Sequence, residues 1–142
     1  MNHWLVKSEP GCWSWADHVN KGVEPWDGVR NHQAAKYLKE MEVGDQVFFY
    51  HSVNEKKVVG VLEVVREAYI DPTDPTGRFV AVDFKALMPV NTPVSLADIK
   101  ANPALEDMPL LRQSRLSVCP VTQAQWDEIV HMAGGLGKKV GA

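Results

Sequence analysis

The chain has 142 residues, 45% of them hydrophobic and 23% charged, and its formal net charge is −3, with an isoelectric point near 5.9. That length suits one domain with a real core, and the acidic balance argues against coating DNA through a broad basic face. No apolar run approaches the roughly 20 residues of a membrane span, and Met1-Asn2-His3-Trp4 has no signal-peptide form, so the expectation is a cytoplasmic protein, or a nuclear one in a eukaryote.

His3–Lys7 reads as a short strand with Trp4 and Val6 on one face, stopped by Pro10 and Gly11. Ser14 and Asp17 have capping-box spacing for a short helix through about Asn20, and Lys21–Pro25 reads as a loop. Pro25-Trp26-Asp27-Gly28-Val29-Arg30-Asn31 then leads into a helix over 32–41. Ala34, Tyr37, Leu38 and Met41 share one face of it, and Asp27 or Asn31 supplies its cap. Val43-Gly44-Asp45 makes a turn, and Gln46–Tyr50 is a strand ending at His51-Ser52. After the polar connection Asn54–Lys57, Val58–Val65 is a nearly continuous apolar strand suited to burial on both faces, with Arg66–Ile70 as an extension.

Asp71-Pro72-Thr73-Asp74-Pro75-Thr76-Gly77 is the strongest loop signal in the chain. Phe79–Ala86 alternates, turning Val80, Val82, Phe84 and Ala86 inward. Ser95 and Asp98 start a short helix that ends before Pro103, and Pro109–Arg115 is irregular. Leu116–Val118 is a brief strand closed by Pro120. Thr122 and Gln125 open a last helix carrying Trp126, Ile129, Val130 and Ala133 on one side. The domain is therefore expected over 1–133, with the Gly- and Lys-rich 134–142 as a flexible tail. Short strands among short helices define the class as α+β, with a curled sheet or small barrel.

Catalytic signatures are thin: there is no G-x-S-x-G, Walker loop, G-x-G-x-x-G or H-E-x-x-H. The five histidines lie apart, so neither a metal site nor a cofactor is expected. Cys12 and Cys119 are isolated and read as reduced thiols; Cys12 with His51 as a nucleophile pair is the weaker reading. Binding features are richer. Trp26 can stack a planar group or simply cover the core, and Asn31 can offer a donor and an acceptor or only cap the helix. Ser8 and Ser52 bring hydroxyls, and Lys7, Arg30, Arg112 and Arg115 can meet phosphates. A flat slot with hydrogen-bonding groups at its edge is what a flipped or free base needs.

Trp4-Leu5-Val6-Lys7-Ser8-Glu9-Pro10, Trp26-Asp27-Gly28-Val29-Arg30-Asn31, Gly44-Asp45 with Phe49-Tyr50-His51-Ser52, and Arg115-Leu116-Ser117-Val118 occur in one order along the chain. Together these words resemble the EVE domain family, which includes the thymocyte nuclear protein group and is related to YTH and ASCH domains. The resemblance implies a PUA-like fold, a small mixed β-barrel flanked by short helices. It also implies a non-catalytic reader that takes a modified base of DNA or RNA into an aromatic pocket. By this reading the base pocket comprises Lys7, Ser8, Trp26, Val29, Asn31, Tyr50, His51 and Ser52, with Arg30, Arg112 and Arg115 on phosphates. Trp13 and Tyr50 are the candidates for a second aromatic wall. The expected partners are modified DNA or RNA and no membrane, with room for a separate nuclease or modification enzyme. The alternative is a small-molecule or nucleotide-binding protein, or an enzyme using Glu9, Asp27 or His51 in the same pocket.

Overall fold

In the computed structural model, which describes residues 1–141, β1 (His3–Ser8) is followed by α1 (Trp15–Lys21), β2 (Val23–Trp26) and α2 (His32–Glu40). Next come β3 (Gln46–His51) and two long strands, β4 (Lys57–Ile70) and β5 (Val80–Ser95). Helices α3 (Leu96–Ala101) and α4 (Pro109–Arg112), strand β6 (Val118–Val121) and helix α5 (Gln123–Met132) complete the order, with a 3-10 turn at Pro103–Leu105. The strands form one mixed sheet ordered β2-β5-β4-β3-β1-β6, in which only β1 and β3 run parallel. A parallel pair needs a long crossover, and the stretch carrying α1, β2 and α2 supplies it. Four register shifts along the β4–β5 ladder bend and twist the long hairpin.

Local sequence chemistry sets the helix starts. Ser14 and Thr122 each close a reciprocal capping box, with Asp17 and Gln125 respectively, and the Asn31 Oδ1 accepts the Ala34 N–H at 2.9 Å. The core covers both faces of the sheet: Phe48 of β3 meets Trp126 of α5 on one, and its neighbour Phe49 meets Trp15 and His18 of α1 on the other. Leu5, Leu38, Met41, Leu62, Phe84 and Ile129 are buried with them. Each such side chain contributes about 1.5–3 kcal/mol on burial. Trp126 lies flat on Phe48, with centroids 3.7 Å apart. Asp45 is one of the buried polar residues, and it is satisfied: its carboxylate accepts from Trp4 Nε1 at 3.0 Å and from the Asn2 and Glu42 amides.

Four expectations from sequence are corrected. Lys21–Pro25 is not all loop, because Gly22, at φ 85°, turns the chain so that Val23–Trp26 pairs with β5. Pro25 is tolerated there because β2 is an edge strand. The last strand is Val118–Val121 rather than 116–118; Pro120 sits inside it, again at an edge. Residues 109–112 form a short helix rather than irregular chain. The segment after α5 is docked, not frayed. β2 is too short to cover all of β5, and the open edge takes a Val90–Leu136 bridge and hydrogen bonds from Gly137 N–H to the Pro89 carbonyl and Val140 N–H to the Leu87 carbonyl, both 2.7 Å. Ala142 lies outside the described residues.

Gly60 shows how α1 is seated. A Cβ at this position of β4 would fall 2.6 Å from ring atoms of Trp15, the first residue of α1. Gly60→Ala is therefore expected to push α1 off the sheet and lower stability by about 1–3 kcal/mol, the usual penalty of overpacking. Thermal or denaturant unfolding measures this directly.

Candidate functional site

The two ends of the sheet order, β2 and β6, are not paired with each other among the described residues. A cavity of about 610 Å³ occupies the seam between them: Glu24, Pro25 and Trp26 line it from β2, Lys7 and Ser8 from the end of β1, and Ser117 from the approach to β6. Its remaining walls are the Glu9–Trp13 turn and the Asp27–Asn31 loop. The curl of the sheet thus brings residues more than a hundred positions apart onto one hollow.

Trp26 is half-buried and is held from behind by edge-to-face contacts with Phe49 and Phe84, at 5.7 and 5.6 Å between centroids. Of the two candidates for a second aromatic wall, Trp13 lines the same cavity and Tyr50 is buried in the core. Between and behind the two tryptophans lies His18, fully buried on α1. Its ring is stacked beside Trp26 at 6.3 Å and edge-on to Trp13 at 5.8 Å. The Trp13 Nε1–H donates to His18 Nδ1 at 3.1 Å, and His18 Nε2 is 2.9 Å from the Phe84 carbonyl. An indole nitrogen only donates and a carbonyl only accepts, so the imidazole is neutral with its proton on Nε2. Burial pushes the His18 pKa down, against the opposing pull of the Phe84 carbonyl and Glu24.

The lip of the cavity is fastened by Asp71, whose side chain has no exposed surface. Its carboxylate accepts from the Gly28 amide at 2.8 Å, Arg30 Nη1 at 3.0 Å, and the Thr73 amide and hydroxyl, both at 2.7 Å. Burial raises the Asp71 pKa, but these donors, led by the Thr73 hydroxyl, outweigh it and hold the pKa at about 2. Asp74 repeats the motif three residues on, capturing the Thr76 hydroxyl and the Thr76, Arg78 and Phe79 amides.

The rim is chemically divided. Glu9, Glu24 and Asp27 face the cavity, and burial with the charges of Asp71 and Glu24 raises the Asp27 pKa. The Cys12 thiol donates to Glu9 at 3.5 Å, and that contact pushes its pKa up, away from thiolate chemistry. Next to the cavity a second hollow of about 320 Å³ carries Asn31, Gln33, Arg112, Gln113 and Arg115, with no carboxylate in its lining. Lys7 joins the two regions: its Nζ donates to the Ser114 carbonyl at 2.9 Å. Among the described residues no group of three or more His, Cys, Asp or Glu is placed to hold a metal ion.

Of the residues singled out from sequence, Lys7, Ser8, Trp26, Val29, Arg30 and Asn31 line the main cavity. Three do not. Tyr50 and Ser52 border a separate hollow of about 150 Å³, since strand alternation and the β3–β4 turn carry them away. His51 is buried: its Nε2 accepts the Trp15 amide N–H at 3.0 Å, leaving the Nδ1–H for Glu55 at 3.0 Å, so it seats α1 rather than facing a ligand. Arg30, expected on phosphates, is committed to Asp71 and Thr73. Arg112 and Arg115 lie in the adjoining hollow, Arg112 in a loose, exposed pair with Asp107 at 3.7 Å. Asn31 caps α2 through Oδ1 while bordering both hollows. His18 and Asp71 were missed. Only the repeated Asp-Pro-Thr pattern hinted at Asp71, and nothing local marks His18.

A curled mixed sheet with this strand order, helices packed on it and a hollow at its seam is a PUA-like domain. The family model of the EVE domain matches residues 2–132. The chain belongs to the EVE domain family. Human thymocyte nuclear protein 1 is 30% identical over 170 aligned residues, spanning 92% of this chain and 73% of that protein. A solution structure from Rhodopseudomonas palustris is similar at 52% identity and a TM-score of 0.90, covering 94% of both chains. The crystal structure of human THYN1 in complex with 5-methylcytosine-containing DNA is similar at 29% identity and a TM-score of 0.86, covering 94% of this chain and 98% of that one.

Proposed function

We propose that this protein is a non-catalytic reader of modified DNA that takes one base into the Trp13–Trp26 cavity. The observation that carries this reading is a 610 Å³ hollow with two tryptophans, beside a carboxylate-free hollow holding two arginines. The first has the size and mixed lining of a small-ligand site, and the second suits a phosphate backbone. The human relative's complex with 5-methylcytosine DNA supports the same class of ligand. A binding role also agrees with the chemistry of the candidate catalytic groups: the Cys12 proton is held by Glu9, and both His51 nitrogens are engaged.

Trp26 stacks the base, Asn31 Nδ2 and Ser8 hydrogen-bond its edge, and Lys7 with Arg112 and Arg115 hold the strand. The test follows tryptophan fluorescence during titration with single- and double-stranded DNA and RNA carrying plain, 5-methyl, 5-hydroxymethyl or N6-methyl bases. Preference for one modified base supports the reading. Equal affinity for plain and modified strands, or binding only of free nucleotides, overturns it in favour of a nonspecific or small-molecule protein. Arg115→Ala is expected to weaken every oligonucleotide alike and to lower the slope of log affinity against log salt by about one. Titration at three salt concentrations reads that slope.

A further inference from the structure

The proposed reader function assigns no role to the one fully buried histidine. His18 lines no part of the cavity, yet the groups its ring meets belong to the cavity wall or its backing: Trp13 and Trp26 in front, Phe49 at 6.0 Å and edge-on, and the Phe84 carbonyl behind. The two hydrogen bonds of its ring run in opposite senses, accepting from Trp13 in the turn before α1 and donating to β5. Together they tie the Trp13 wall to the strand against which the Trp26 wall packs.

Resting on that reading, we propose that His18 is the positioning residue of the base pocket: its neutral Nε2–H imidazole fixes the distance and tilt between Trp13 and Trp26. The Trp13 indole N–H is consumed by His18, so this wall offers a base its ring surface and not a donor. Stacking depends steeply on ring separation, so releasing Trp13 lowers affinity without removing any group that touches the base. Protonation does the same. An Nδ1–H would point at the Trp13 N–H, donor against donor. Glu24 on β2 is the one charged group whose field favours the imidazolium, and burial among three aromatic rings opposes it. Because the folded pKa lies below the ordinary 6.5, the lock is intact above that value and is lost as pH falls through the lowered one.

The test uses the full chain in two parts. In 15N-labelled wild-type protein without DNA, the Trp13 indole proton is expected to be protected from solvent exchange at pH 7.5, and the His18 nitrogens are expected to show the Nε2–H tautomer. On acidification both signals change together, below pH 6.5. A freely exchanging Trp13 indole, or an Nδ1–H His18, overturns the proposal whether or not any DNA binds. Failure of wild type to prefer a modified base, with the lock intact, overturns the reader function alone. The second part compares His18→Phe, which keeps the ring and loses both hydrogen bonds, with His18→Asn, whose Oδ1 can still accept from Trp13. His18→Phe is expected to bind the preferred oligonucleotide about tenfold more weakly and to lose the pH dependence, with partial recovery in His18→Asn. Wild-type affinity in a folded His18→Phe overturns the proposal, and if neither variant folds, the NMR titration of wild type decides.

Discussion

Replacing Trp26 by alanine is expected to abolish discrimination between modified and plain bases and to weaken the preferred oligonucleotide by about 1–3 kcal/mol, the range for one base–aromatic stack. That corresponds to roughly fivefold to more than hundredfold in affinity. The ring has two jobs: one surface lines the cavity and the other packs edge-on against Phe49 and Phe84. The variant therefore also loses stability, by about 1–3 kcal/mol for a half-buried aromatic. Trp26→Phe separates the two effects, because it keeps an aromatic ring on the core side and shortens the stacking surface. Parallel denaturation and titration of both variants read the two losses independently. Retention of base preference in Trp26→Ala would remove Trp26 from the site.

Asp71→Ala is expected to give the largest loss of stability among single substitutions at the lip, about 2–4 kcal/mol. Removing a buried carboxylate leaves the Gly28 and Thr73 amides without an acceptor and strands the Arg30 guanidinium. The Arg30 side chain is 40% exposed, and water there moderates the cost. Asp71→Asn fares little better, since its amide nitrogen would confront donors. The effect has a defined pH window. The Asp71 carboxyl titrates at about 2 in the folded chain against an ordinary 3.8, so its contribution is fully present above the ordinary value and disappears as pH falls through about 2. The stability gap between wild type and Asp71→Ala should therefore be constant from pH 7 to pH 5 and shrink below pH 4. Denaturant midpoints across that range measure it, and a gap that does not shrink would mean that Asp71 acts by packing alone.

Much of the local structure is legible in the sequence because it is set within a few residues. Ser14, Asn31, Ser95 and Thr122 each cap the helix that follows, through bonds spanning three positions. Apolar alternation marks β5, and the Asp-Pro-Thr repeat marks the loop whose carboxylates capture their own threonines. The words shared with the EVE family likewise lie at strand and helix ends. The errors have one cause, which is that strand membership depends on a distant partner. Val23–Trp26 and Val118–Val121 carry prolines that read as loop or stop signals, and only their edge positions make them strands. The segment after α5 looks like solvent-exposed tail until the uncovered edge of β5 is known.

Sequence by itself determined the class of fold, the helix caps and the Trp26–Asn31 lip, because propensity, capping and periodicity act over short spans. Tertiary structure decided which side chains share a hollow. It put Trp13 and Trp26 on one cavity, drew Tyr50, His51 and Ser52 away, and spent Arg30 on Asp71. It also set a buried imidazole behind both tryptophans, where its tautomer is fixed by an indole from one side and a carbonyl from the other. Such contacts join positions five to sixty-six residues apart, and their energy comes from excluding water around groups whose meeting only the curl of the sheet brings about.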